Sequence, residues 1–341
     1  MKDNGMDYSN FDNNIKKLKE SNQDLQSVFV GKTADQWMQE ASLRKIPSML
    51  FSEFWFEGEI CILFADSNVG KTPLAVVIGL SIATGEPRPG FKMEAKKQTV
   101  LFFDFELSDK MFEKRYSNDY HDHYKFGNNF IRIELNPETI PEKDVSNQIL
   151  NSIEFEVKKY DAKIIIIDNG TYLNHSHEKS QDALPLMKKL KKLGKKLGLS
   201  IMILFHVPKR NLANPITRND LAGSKMLINF CDSSFSIGES AKDNNIRYLK
   251  QIKARNSGMI YGPENVITCE IEKPSNFLDF KFVDFSIELE HLQTITIKEI
   301  NQIKEDAFQL ADKKFSARAI ALKLGRSHVT ISKWLKQRIQ K

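Results

Sequence analysis

The chain has 341 residues, too many for a single small module and enough for one large domain with a smaller companion. Hydrophobic residues make up 41% and charged residues 28%, which excludes wholesale disorder and leaves apolar material for a sizeable core. The formal charge of +6 is unevenly spread: Ala311 to Lys341 holds nine Lys or Arg against the single acid Asp312, a local +8, so the other 310 residues sum to −2.

No apolar run approaches the roughly 18 residues needed to cross a bilayer, and the polar start from Met1 to Asn10 lacks a signal peptide's apolar core. A cytoplasmic protein with no membrane partner is therefore expected. Cys61, Cys231 and Cys269 lie too far apart for a local metal-ligand or redox spacing and read as buried small hydrophobes.

Residues 1 to about 45 are polar and mixed in charge, an arm or linker with one helix predicted at Thr33 to Ser42. Apolar runs then alternate with helical patterns. The order is strand Ile60 to Ala65, helix Leu74 to Thr84, strand Thr99 to Phe105, a helix from Ser108, and strand Lys163 to Ile167. A helix at Asp182 to Leu197 follows, with Leu186, Leu190, Leu193 and Leu197 at helical spacing and lysines on a solvated outer face, and then strand Ser200 to Phe205. This alternation predicts an α/β fold with a central, mostly parallel sheet and helices on both faces. The runs Ser233 to Ile237, Arg247 to Lys253, Val266 to Glu272 and Leu278 to Phe285, joined by short turns such as Asn256-Ser257-Gly258, predict an antiparallel extension of that sheet. The organisation expected is an arm over 1–45, the α/β domain over 46–297 and a small all-α domain over 298–341.

The segment Ile60 to Thr72 runs from a strand through a polar loop into a helix and nearly matches the phosphate-loop pattern G-x-x-x-x-G-K-[ST]. Its loop, Ala65, Asp66, Ser67, Asn68, Val69 and Gly70, would aim backbone N–H groups at phosphate where the helix dipole favours an anion. Lys71 supplies a point charge for the β- and γ-phosphates, and Thr72 a hydroxyl for Mg²⁺. Two departures stand out. Ala65 replaces the first glycine, and Pro73 lacks an amide hydrogen, although a proline in the first helical turn breaks no intrahelical bond.

Two acids end neighbouring strands. Asp168 follows four isoleucines, the pattern of a Walker B acid that holds Mg²⁺, and Glu106 in Asp104-Phe-Glu106 lies at the same carboxyl edge, where a general base could polarise water. Asp104 shares the face of Glu106 and competes for that role; alternatively both acids merely cap the helices that follow. His206 closes the next strand, placed either to sense a γ-phosphate or to serve structure, with Arg210 and Arg218 in the loop beyond it.

Taken in order, these motifs resemble the RecA-like ATPases, particularly the hexameric plasmid replication helicases of the RepA type and, more distantly, the DnaB-type helicase domain. The resemblance runs from about Ser48 to Phe285. It implies ATP with Mg²⁺ as cofactors, Glu106 as catalytic glutamate and Asp168 as Walker B acid. It also covers Leu249 to Gly258, which resembles the family's Lys-x-Arg-Asn strand end, so that Lys253 and Arg255 would reach the nucleotide of an adjacent subunit. The competing view is a cationic stripe that blunts an edge strand.

Phe315 to Lys336 resembles a helix-turn-helix of the resolvase or transposase sort. Ala317, Ile320, Ala321 and Leu324 mark one buried face, Gly325 suits the turn, and Val329, Ile331, Trp334 and Leu335 pack a second helix back. Arg326, His328, Thr330, Ser332, Lys333 and Lys336 are left toward solvent or DNA. A helical hairpin that docks on protein is the alternative.

The expectation overall is a ring-forming ATPase, a hexamer, acting on DNA as a replicative helicase of a plasmid or mobile element. Single-stranded DNA would pass through the ring, duplex would bind the tail, and a primase or other replication protein would be a further partner. The alternatives are an ATP-switched DNA-binding adaptor or regulator in recombination, transposition or transcription, and a small-molecule P-loop kinase, against which Glu106 and the Lys253/Arg255 pair argue.

Overall fold

A computed structural model of the chain describes residues 29–139, 145–173, 183–208, 210–221, 224–293, 297–324, 326 and 328–339. Contacts divide it into two compact units, 1–46 and 47–341. In the first, helix α1 (Ala34–Ser42) is started by a capping box: the Thr33 hydroxyl accepts from the Gln36 N–H, and the Gln36 side chain accepts from the Thr33 N–H.

The second unit opens with a hairpin of β1 (Met49–Phe51) and β2 (Trp55–Phe56), then alternates through β3 (Ile60–Ala65), α2 (Lys71–Thr84), β4 (Val100–Asp104) and α3 (Asp109–Arg115). A small hairpin, β5 (Ser117–Asn118) with β6 (Asp122–His123), precedes β7 (Phe130–Ile133), α4 (Val145–Lys159), β8 (Ile164–Asp168), α5 (Ala183–Leu197) and β9 (Ser200–His206). Helix α6 (Ser224–Phe230) leads into β10 (Ser233–Glu239), β11 (Ile246–Lys253), β12 (Val266–Glu272) and β13 (Asp279–Ser286). One nine-stranded sheet results, in the order β13-β12-β11-β10-β3-β9-β8-β4-β7. From β10 to β7 every neighbouring pair is parallel, and β11, β12 and β13 extend the β10 edge in antiparallel fashion.

The continuous apolar runs of the central strands follow from burial on both faces. Along β3, Cys61 and Leu63 enter one core with α2, whereas Ile60, Ile62 and Phe64 enter the other with α4, α5 and α6. Along β8, Ile164 and Ile166 divide from Ile165 and Ile167 in the same way. Helix α2 is buried from Lys71 through Ala83, so its sequence is apolar all round. All three cysteines are free and buried.

Helix α2 begins at Lys71, with Pro73 in its first turn as the phosphate-loop pattern implies. Two features differ from expectation. Strand β7 and helix α4 were not foreseen. The β11–β12 connection is a twelve-residue loop, 254–265, in place of a short turn. Gln251 holds that loop, its Oε1 accepting the N–H groups of Ile260 and Tyr261 at 2.6 and 2.7 Å.

A buried ion pair fastens the segment after β9 to this extension. Lys250 Nζ, on β11, donates to Glu288 Oε2 and to the Ile216 carbonyl, while Glu288 Oε1 accepts the Ile216 N–H at 2.7 Å. Glu288 is only 1% exposed.

The carboxyl-terminal helices α7 (Ile297–Asp312), α8 (Ala317–Lys323) and α9 (His328–Ile339) enclose their own core of Ala307, Ile320, Ala321 and Ile331. Ala317, Leu324, Trp334 and Leu335 pack against it, as the pattern of the sequence requires. Arg338 of α9 grips Asp312 of α7 through its Nη1 and Nη2 atoms, at 2.7 and 3.0 Å. Gly325 and the Val329 side chain lie outside the described residues. Among the described residues, no helix is long and apolar enough to cross a membrane.

Lys250→Met strands the buried Glu288 carboxylate and is expected to destabilise the protein by about 3 kcal/mol or more in urea unfolding. The double variant K250M/E288L should lose less than the single one; a double variant that unfolds earlier than K250M would contradict this account of the pair.

Candidate active site

The phosphate loop joins the end of β3 to the start of α2. Ala65 is still a strand residue, paired with His206 in register and buried. Its backbone has no positive φ, which is why alanine serves where the pattern expects glycine. Ser67 and Asn68 form the exposed part of the turn after half-buried Asp66, with Asp66 Oδ1 accepting the Ser67 N–H at 2.7 Å and Asn68 in the left-handed region at φ 62°. Val69 is buried. Gly70 caps α2 at φ 108°, and a Cβ there would lie 2.7 Å from Phe280 of β13 and 2.8 Å from Ile271 of β12. The antiparallel extension thus forms one wall of the loop, and glycine is required for both reasons.

Lys71 Nζ lies back over the loop, donating to the carbonyls of Ala65 and Asp66 at 3.1 and 2.7 Å and to His206 Nδ1 at 3.1 Å. Burial lowers its pKa, while the Asp168 and Glu106 carboxylates work against that shift. With Nδ1 accepting from Lys71, the other ring nitrogen carries the proton, and Nε2 faces Glu106 Oε2 at 3.3 Å. Asn169 Nδ2 donates to the same Glu106 oxygen at 3.1 Å. These hydrogen bonds, His206 foremost, pull the Glu106 pKa down to about 2, so it is ionised at any physiological pH.

Thr72 Oγ1 donates to Asp168 Oδ2 at 2.5 Å, linking α2 to the end of β8 across the intervening β9. Asp168 is fully buried, and its Oδ1 has no hydrogen-bond partner. Burial, together with the Glu106 and Asp104 charges, raises its pKa to about 7. A hydroxyl and a carboxylate with a free, buried lone-pair atom are hard oxygen donors that fit Mg²⁺, which usually takes one or two protein ligands and completes its shell with water and phosphate. Among the described residues, no group of three or more His, Cys, Asp or Glu gathers round a possible metal.

Lys71, Thr72, Glu106, Asp168 and His206 therefore meet at the carboxyl edge of the parallel strands. Asp104 does not share the place of Glu106. Its carboxylate is buried, receives Arg132 Nε of β7 at 2.8 Å, and accepts the N–H groups of Glu106 and Leu107 at 3.2 and 2.9 Å. It shapes the turn that presents Glu106.

Lys253 and Arg255 lie elsewhere. Strand β11 runs antiparallel to β10, so its end sits beside the starts of β10 and β3, one strand length, roughly 20 Å, from the phosphate loop. Lys253 Nζ caps α6, donating to the carbonyls of Ile228, Asn229 and Cys231, and Arg255 Nη1 donates to Asp232 Oδ1 at 2.9 Å. At the opposite end of β11 is a residue that the sequence reading missed. Arg247, buried, donates Nε to the Val69 carbonyl at 3.0 Å and so holds the phosphate loop from behind. The sequence carries little signal for it, since Arg247 alternates with Leu249, Gln251 and Lys253 in the more polar phase of β11.

Of the six tail residues expected to face solvent or DNA, His328, Lys333 and Lys336 are exposed. Arg326, Thr330 and Ser332 are half-buried instead.

With this geometry in view, the comparisons are informative. Residues 32–211, more than half of the chain, match a family described as AAA domain. The chain belongs to that family. The matched AAA domain spans every element from α1 to β9, including all five converging residues; β10 to β13 and the carboxyl-terminal helices lie beyond it. Strand order, with the phosphate-loop strand and the Asp168 strand separated by β9, makes the AAA domain a RecA-like P-loop ATPase fold. No curated protein matches the chain. Among solved structures, a KaiC-like protein from the hyperthermophilic archaeon Pyrococcus horikoshii is similar over 66% of this chain and 90% of its own, at 17% identity and a TM-score of 0.45.

The buried carboxyl of Asp168 gives a test by pH. Folded, it keeps its proton up to about pH 7; unfolded, it loses it near the ordinary value of about 4. The folded state thus binds more protons between those values, and stability falls as pH rises through that window. Without nucleotide and magnesium, Asp168→Asn is expected to melt above the wild type at pH 8, with the gap closing toward pH 4. An equal or lower melting temperature at pH 8 would refute the assignment.

Proposed function

We propose that this protein binds ATP with Mg²⁺ at the phosphate loop, hydrolyses it, and assembles into a ring, a hexamer, that acts on DNA as a replicative helicase of a plasmid or mobile element. The observation that carries the ATPase reading is the convergence of Lys71, Thr72, Glu106, Asp168 and His206 at one edge of the sheet, with each linked to another by a hydrogen bond. Thr72 and Asp168 would hold the magnesium ion, which neutralises phosphate charge when bound.

The chain's own residues do the rest. The β- and γ-phosphates take Lys71 Nζ from the loop carbonyls and from His206. Freed at Nδ1, His206 can turn toward the γ-phosphate. Glu106, ionised and held at one oxygen by Asn169, keeps its second oxygen for the attacking water and accepts that water's proton. Pro73 removes one amide from the first turn without loosening α2, whose Leu74 N–H bonds to the Gly70 carbonyl at 3.1 Å.

Lys253 and Arg255, at the far edge of the sheet, cannot serve the phosphate loop of their own chain. They suit the nucleotide of an adjacent copy, where a cation supplied in trans stabilises charge in the transition state. The reading of DNA as partner is supported by the local +8 of the tail and by the exposed His328, Lys333 and Lys336. The helicase reading is supported by the order of the motifs, which resembles the RepA type. That same concentration of charge in a separate helical core also favours a second reading, an ATP-switched DNA-binding adaptor whose function resides in the tail.

Glu106→Gln is expected to keep nucleotide binding and lower ATP turnover by about 10²-fold or more. Turnover by the wild type should rise with single-stranded DNA and coincide with a ring-sized particle mass. Stimulation absent with any DNA would exclude a helicase, and DNA-linked activity retained by E106Q would favour the adaptor.

A further inference from the structure

At the far edge of the sheet, four segments meet on one carboxylate. Asp232, in the joint between α6 and β10, accepts the N–H of Ile60, the first residue of β3, on Oδ2 at 3.1 Å. Its Oδ1 accepts Arg255 Nη1 at 2.9 Å and lies 3.7 Å from Lys191 Nζ of α5. Beside it opens a cavity of about 470 Å³ lined also by Gly58, Lys195 and Asn256. An amide would satisfy the Ile60 N–H equally well; two cations on the other oxygen call for a carboxylate.

We infer that Asp232 is the positioning residue of the shared nucleotide pocket: it presents Arg255 to the phosphates of the neighbouring copy and ties that cation to the start of the strand that ends in its own phosphate loop. The inference rests on Arg255 acting in trans, as proposed above. Arg255 is about half exposed, held on one side by Asp232 and by the Asn229 carbonyl at 3.3 Å, so its remaining N–H groups are available in a fixed orientation. Fixing a guanidinium before its anion arrives removes most of the ordering cost of the encounter. Lys191, 3.7 Å from the same oxygen, adds a second cation to the acid while Arg255 shares its charge with a phosphate. Any shift of Asp232 bears on the Ile60 N–H, and β3 runs unbroken from there to Ala65. Occupation of one pocket is thereby felt at the next.

The test uses the full chain, assembled with ATP and Mg²⁺, and compares D232N, D232E, R255Q and the double variant D232N/R255Q. D232N should bind nucleotide and assemble as the wild type does, with kcat lowered about tenfold, KM unchanged and the Hill coefficient for ATP moved toward one. D232E should recover most of the rate, and the double variant should be no slower than R255Q alone. Wild-type kcat in D232N beside a slow R255Q would overturn the inference and leave the trans cation standing. A double variant slower than R255Q by the full D232N factor would also overturn it, since the acid would then act by another route. Wild-type turnover in assembled R255Q would instead remove the trans reading itself, and the inference with it.

Discussion

Thr72 and Asp168 belong to segments nearly a hundred residues apart, yet their side chains share one hydrogen bond of 2.5 Å. That contact sets the distance between the helix that follows the phosphate loop and the third strand of the parallel core. It survives in an apolar interior because the hydroxyl gives the buried carboxyl a hydrogen-bond partner, although burial still raises its pKa to about 7. Around it the remaining residues take their places in order. Asp104 shapes the turn before Glu106, Asn169 and His206 hold Glu106, and His206 in turn meets Lys71.

The sheet places these groups by connectivity more than by local propensity. β9, inserted between the strands of the phosphate loop and of Asp168, brings His206 between Lys71 and Glu106. β11, running the other way, carries Arg247 to the near edge and Lys253 to the far one, so a single strand serves both ends of the molecule. The two cations of its far end are held inward by carbonyls and by Asp232.

Much of this was legible from residues alone, and the exceptions have physical causes. β3, β4, β8 and β9 announce themselves as unbroken apolar runs because both faces are covered, and Ser108 and Thr33 mark helix starts by their side-chain caps. β7 is short and only partly buried, with Arg132 in its middle, so it carries no such run; that arginine is there for Asp104, a partner that sequence cannot show. Helix α4 buries Ile149, Leu150, Ile153 and Val157 at helical spacing, a pattern present but diluted by polar neighbours. Asp104 and Glu106 looked equivalent by alternation. Their difference depends on Arg132 and Asn169, which arrive from other strands.

The contact of Gly70 with Phe280 and Ile271 has a consequence for what counts as the smallest working piece of this protein. The matched region stops at Asn211, before either of those side chains. A fragment ended there would keep Lys71, Thr72, Glu106, Asp168 and His206, yet it would lose the backing against which the loop is pressed, along with the Arg247 prop. The four strands that follow are thus an outer buttress of the phosphate loop rather than an accessory, through Phe280, Ile271 and Arg247.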